Sequence, residues 1–336
     1  MFKIKSLVFL TALSLPFSAL SAPTEINVYA EEFFSAQWGP GIEVKKMFER
    51  ETPQCRLNLV PFDSRSTMLN RLRLEGKKSK ADVVVGLDNH QLEAARQSGL
   101  FGANKVSLEA ISLPIKWQDS TFLPYDFGQY AFIYDKTKLK NPPQSLQELI
   151  EREDLQIIYQ DPRTSSIGRG LVVWVNSLYP PQQTEKIWRR LATHTLTVGK
   201  GWSETYGVFL KGEGDLVLSH STSPLYHLLQ DKNSNYAATE FSEGGVLQIE
   251  LAAKIAGREE DKDNCAEAFL AFLISPQAQK EIVSKNIMLP VIAAETEPHF
   301  DALKAKQMRT KALDTLNLSG EQMKRWIEQW QRALSR

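Results

Sequence analysis

Cysteine is scarce in this chain, with Cys55 and Cys265 alone among 336 residues. No C-x-x-C pair is possible, so motifs built on one are excluded. The five histidines are scattered and do not suggest a metal cage. No H-E-x-x-H, G-x-S-x-G or Gly-rich phosphate loop occurs, so no familiar catalytic signature is present. Charge of one sign is also lacking, because Lys+Arg and Asp+Glu both number 40. That excludes the basic footprint that nucleic-acid binding needs. Beyond the N-terminus no segment approaches the roughly 20 consecutive apolar residues of a membrane span. No internal repeat and no low-complexity tract is seen. These absences point to a binding protein rather than an enzyme, with a ligand held between α/β lobes.

The N-terminus supplies the compartment. Lys3 and Lys5 precede the apolar run Leu7 to Phe17, and small residues follow in "SALSAP". That order of basic, apolar and small regions is a secretory signal. Residues 1–21 are expected to be the signal peptide, with cleavage after Ser21 and Ala19 at the minus-three position. No Cys stands near the cut, which argues against a lipid anchor. Loss of Lys3 and Lys5 leaves the mature chain slightly acidic.

The mature chain opens with a repeated alternation. "INVYA", "RLNLVPF" and "ADVVVGLDN" read as strands. "GPGIEVKKMFERET", with Ile42, Val44, Met47 and Phe48 on one side, "STMLNRLRLEG", started by Ser66, and "QLEAARQSGLF" read as helices. Strands alternating with helices predict a parallel α/β sheet. "FLPYDFGQYAFIYDKTKL" is long, aromatic and alternating, and reads as a crossover into a second lobe. "FSEGGVLQIELAAKIAG" would return the chain to the first. The expected organisation is a first lobe from 22–125 and 241–292, a second from 126–240, and a helical C-terminal segment at 293–336. In that last segment Met323, Trp326, Ile327, Trp330 and Leu334 stand at helical spacing and read as packing. Cys265 shares an apolar helix face with Phe269 and Phe272, so it reads as a buried, inert thiol. A Cys55–Cys265 disulfide stays open, since sequence does not supply its geometry.

The chemistry-bearing residues stand at element ends, where ligands are usually held. Trp202 opens a helix in "KGWSETYG". His220 follows the strand "DLVLS", and Tyr226 closes "STSPLY". An imidazole ordinarily titrates near neutrality, so His220 is expected to change charge across physiological pH.

Longer strings carry a resemblance. "AEAFLAFLISPQAQKEI" and "NPPQSLQEL" resemble the extracellular solute-binding proteins of ABC importers. "WGPGIEVKKMFE", "MLNRLRLEGKKSKADVVVGLDN", "YDKTKLKNPPQSLQELIE", "IYQDPRTSS" and "KGWSETYGVFLKGEGDLVLS" are similar to the thiamine-binding members. The resemblance implies a two-lobed periplasmic-binding-protein fold with a hinge of crossover strands and a cleft between lobes. It implies a periplasmic chain that binds thiamine and its phosphate esters, uses no cofactor, acts as a monomer and delivers its ligand to a membrane permease. Trp202 and Tyr226 then match ring-contacting aromatics, which suit the cationic thiazolium, and Trp38 matches another binding position. Ser165 and Ser166, at a helix start, are the implied phosphate site; plain N-capping is the alternative. Asp63 lies beside a further pocket position.

The resemblance departs at four positions. Glu31 stands where the family has Tyr, Ser64 where it has Asp, His220 where it has Tyr, and Ile287 where it has Trp. Glu31 would supply the charge lost at Ser64, while Ile287 gives up stacking area. "PQC" replaces a C-x-C pair, leaving Cys55 without that local partner. These departures keep open a shifted ligand, such as a pyrimidine fragment or other small cation. Thiamine-cleaving enzymes with a Cys nucleophile and ferric-ion binders of related fold are further alternatives, and the residues here favour neither.

Overall fold

The computed structural model describes residues 22–313, 315–316 and 318–335. The expected signal segment, residues 1–21, lies outside them. Among the described residues no helix is long and apolar enough to cross a membrane.

The first lobe grows from the predicted alternation. Strands Thr24–Glu31, Cys55–Phe62 and Val83–Asp88 pair in parallel, with Thr24–Glu31 in the middle. Leu247–Ile255 then joins antiparallel to Val83–Asp88, and Leu123–Asp135 joins antiparallel to Leu247–Ile255. Side chains alternate across a strand, so Val83 and Val85 face one core while Val84 and Leu87 face another. Burial on both faces explains the unbroken apolar run.

Leu123–Asp135 is the element that links the lobes. At 13 residues it is far longer than the usual strand of about 5–6 residues. Its first part pairs with Leu247–Ile255, and Tyr130–Tyr134 pair with Leu216–His220. Ile157–Gln160 and Thr195–Gly199 complete the second sheet in parallel. The second core contains Phe132, Tyr159, Trp174 and Trp188, together with Phe241 and Val246. Of the C-terminal helices, Pro298–Gln307 sends Phe300 into the first core, whereas Gly320–Leu334 packs Met323 and Trp330 on the second. Trp330 also donates its indole N–H to the Tyr159 hydroxyl at 3.1 Å. Ile42, expected inside, is 37% exposed, while Val44 and Phe48 are buried.

Of the two readings open for Cys265, a buried inert thiol or a disulfide with Cys55, the structure has the disulfide. Cys265, on helix Glu260–Leu273, forms a disulfide with Cys55 at the start of strand Cys55–Phe62. The Cα atoms are 5.7 Å apart, within the range a disulfide spans. Helical spacing identified the buried face but not the strand packed on it, which carries the partner.

Helix Arg65–Glu75 is capped two residues earlier than expected. Ser64, not Ser66, is its N-cap and accepts from the Thr67 N–H at 3.2 Å. This shift makes Arg65 the first helical residue and aims it into the junction between the lobes.

Candidate functional site

A buried polar cluster lies where the lobes meet. Arg65 is 5% exposed. Its Nε donates to the Gly86 carbonyl at 2.9 Å, its Nη1 donates to Ser166 Oγ at 2.8 Å, and its Nη2 pairs with Glu250. The Glu31 and Asp88 carboxylates each lie 4.0 Å from the guanidinium. Gly86 is needed here: its φ is +102°, and a Cβ would meet the Glu31 side chain at 2.6 Å.

Glu250 is held from several sides. It accepts from the Tyr125 hydroxyl at 2.8 Å, Gln248 Nε2 at 2.9 Å and Asn286 Nδ2 at 3.1 Å. It also stands directly opposite Asp126 across the antiparallel pair. Asn286 reaches both acids, donating to Asp126 at 2.6 Å.

Three buried carboxyl groups therefore face Arg65, and a fourth, Asp126, stands behind Glu250. Burial pushes Asp126 well above the ordinary carboxyl range, and the neighbouring Glu250 charge adds to it. Burial pushes Glu31 up to about 8, with Arg65 opposing and Glu250 reinforcing the rise. Burial works against the charge on Arg65 itself, but Glu250, Glu31 and Asp88 outweigh it and hold the group firmly protonated.

Aromatic rings stand beside this cluster. Phe33 lies edge-on between Trp38, at 5.5 Å, and Trp202, at 6.3 Å. Glu31 fixes the start of that run by accepting from the Phe33 N–H at 3.0 Å. Trp202 stacks on Tyr206 at 4.7 Å and donates its indole N–H to Ser219 at 2.7 Å. A second stack is His90, Tyr130 and His220, with centroids 5.8 and 5.2 Å apart. Gln248 Oε1 ties it to the polar cluster, 2.7 Å from the Tyr130 hydroxyl and 3.1 Å from His220 Nε2.

The structure thus joins some expected residues and leaves others apart. Glu31 and Ser166 meet through Arg65, while Trp38 and Trp202 meet through Phe33. Ser165 occupies a helix N-cap without a capping side-chain bond. Ser64 is occupied as a cap, and Asp63 is exposed. Tyr226 is 46% exposed and lies edge-on to His227. Ile287 is half-buried against the first core in a left-handed conformation, φ 53°.

The expectation that His220 titrates near neutrality is corrected. Burial lowers its pKa to about 4, against the opposing pull of its Gln248 bond and Glu250. The imidazole is neutral at physiological pH.

Arg65, Phe33, Asp126, Gln248 and Glu250 were missed by the sequence reading. A signal for two existed, because Asp126 and Glu250 interrupt apolar strands in "LPYDFG" and "LQIELA". A charge in such a run is retained only with partners. Chemically, aromatic faces beside a cluster of hydrogen-bonding groups suit a flat cation with polar edges.

Comparison with known proteins agrees with this architecture. A model of the family "Bacterial extracellular solute-binding protein" matches residues 43–310. The chain is 56% identical to the thiamine-binding periplasmic protein of Haemophilus influenzae, covering 97% of each chain. It is 48% identical to the protein of that name from Escherichia coli, covering 93% of this chain and 94% of that one. A solved structure titled "Periplasmic thiamin binding protein" superposes with a TM-score of 0.82 at 45% identity, covering 94% of this chain and all of the other.

Proposed function

Because the chain belongs to the bacterial extracellular solute-binding proteins, we propose that it captures thiamine in the periplasm and delivers it to the membrane permease of an ABC importer. The observation that carries this reading is the run Trp38, Phe33 and Trp202 beside the buried acids around Arg65. Aromatic faces attract a thiazolium ring, and more strongly once water is excluded. Glu31, Ser166, Trp38, Trp202, His220 and Tyr226 are the side chains we assign to the ligand. Asp63, Ser64 and Ile287 complete the set that the resemblance implies, with Ser64 also engaged as a helix cap.

Phosphate esters of thiamine fit the same reading. Helix Ser166–Leu178 is 13 residues long, and its free N–H groups favour an anion. Ser165 makes no capping bond with its side chain, so its hydroxyl is available for that role. The protein acts as a monomer, binding by lobe closure without covalent chemistry. Cys55 and Cys265 are paired in the disulfide and offer no free thiolate, which supports binding over cysteine chemistry.

Native mass spectrometry of protein purified without added ligand tests the class of molecule bound. Calorimetry with thiamine, thiamine monophosphate and the free aminopyrimidine alcohol then tests the choice among them. Thiamine is expected to bind tighter than the fragment, and Ser165→Ala to weaken the monophosphate more than thiamine. Tightest binding of the fragment would overturn the thiamine assignment.

A further inference from the structure

Trp202 is backed by a connected set of groups that extends away from the junction. Tyr206 lies one helical turn after Trp202 on helix Trp202–Leu210, and its ring covers one face of the indole at 4.7 Å and 24°. A ligand ring can therefore use only the other face. Tyr206 is buried, and its hydroxyl lies 3.0 Å from His227 Nε2. The two rings are nearly parallel, at 9°. His227 is also buried, and its Nδ1 lies 2.8 Å from Asp231, the half-exposed residue that ends helix Ser223–Gln230.

The direction of these bonds follows from their chemistry. An ionised carboxylate only accepts, so His227 Nδ1 carries a proton. In the neutral imidazole Nε2 is then an acceptor and takes the Tyr206 O–H. Burial pushes the Tyr206 phenol well up, with Tyr236 and Asp231 adding to it, so the phenol keeps its proton and serves as donor. Each bond polarises the next, and the phenol ring beneath Trp202 gains electron density.

We propose that Tyr206, His227 and Asp231 form a positioning relay that fixes the Trp202 ring and biases its ligand-facing side toward cationic rings over neutral rings of the same shape. The proposal rests on the assignment of Trp202 to the ligand. It explains why a solvent-facing carboxylate is wired to a buried tyrosine: the relay places electron density behind the indole without burying an unpaired charge.

The test compares thiamine with 3-deazathiamine, in which a neutral thiophene replaces the thiazolium. Calorimetry or competition is run at about pH 8.5, above the ordinary imidazole range. Tyr206→Phe removes the relay's hydroxyl and Asp231→Asn removes its negative charge, and both keep size and stacking. Each is expected to weaken thiamine about three- to tenfold and to change 3-deazathiamine less than about twofold. Asp231→Glu, which retains the carboxylate, should recover thiamine binding. Equal losses for both ligands, no loss for thiamine, or Asp231→Glu as weak as Asp231→Asn would each overturn the relay. Trp202→Ala separates the two levels. If it leaves both ligands unaffected, the assignment of Trp202 fails; if it weakens thiamine while the relay variants are silent, only the relay fails.

Discussion

Arg65 and Ser166, 101 residues apart in the chain, are joined by a 2.8 Å bond from Nη1 to Oγ. Each is the first residue of its helix, one in either lobe. The bond links the buried carboxyl cluster of the first lobe to the helix N-terminus of the second.

Removing this link should weaken the ligand-bound state. Ser166→Ala is expected to reduce thiamine affinity by about 0.5–1.5 kcal/mol, the usual worth of one hydrogen bond. Arg65→Met should cost about 3–5 kcal/mol of folding stability, because it leaves Asp88 and Glu250 buried without their cation. Calorimetry and urea unfolding read the two effects. An Arg65→Met protein as stable as wild type would mean that the acids are already neutral without it.

Glu31 should make stability fall as pH rises. Its pKa is about 8 when folded, against an ordinary value of 4.5. Between those values the folded state holds a proton that the unfolded state has released, so stability declines across that window and is level above it. Glu31→Gln removes this component. Relative to wild type, it should therefore gain stability between about pH 5 and pH 9. Parallel urea midpoints for the two proteins across that range would contradict the assignment. A thiazolium beside Glu31 would favour its ionised form, so thiamine binding near neutrality should release a proton. The calorimetric enthalpy would then depend on the buffer.

His220 should not act as a pH switch. With its pKa near 4, it stays neutral between about pH 5.5 and 7.5. Wild type and His220→Tyr are expected to show the same pH profile for thiamine binding in that window. The His220 imidazole proton signal should also stay unshifted. A midpoint near 6.5 in that signal would show that water reaches the ring.

The Cys55–Cys265 disulfide should contribute stability and not binding. It closes a sequence separation of 210 residues on the side of the first lobe that packs Phe48 and Phe269. Replacing both cysteines with serine is expected to cost about 2–5 kcal/mol of unfolding free energy. Thiamine affinity should be unchanged by calorimetry on the folded variant. A large loss of affinity would show that the disulfide also sets the lobe geometry.

Local periodicity made much of the fold legible. The unbroken "VVV" of the third strand announced a sheet covered on both faces, and the length of "FLPYDFGQYAFIYD" announced a crossover. The spacing of Met323 and Trp330 placed them in a core. Trp202 was legible as a residue at an element end, but its Tyr206 backing and its approach to Phe33 were not.

Sequence alone determined the α/β alternation and the two-lobed crossover. These follow from side-chain period and backbone preference, which act over a few residues. Tertiary structure alone decided that Glu250 stands opposite Asp126, that Arg65 reaches Ser166, that Cys55 meets Cys265, and that His220 is enclosed enough to stay neutral. Each depends on segments far apart in the chain being brought together. Protonation, pairing and stacking are set by that enclosure, because burial removes the water that would otherwise solvate every charge alike.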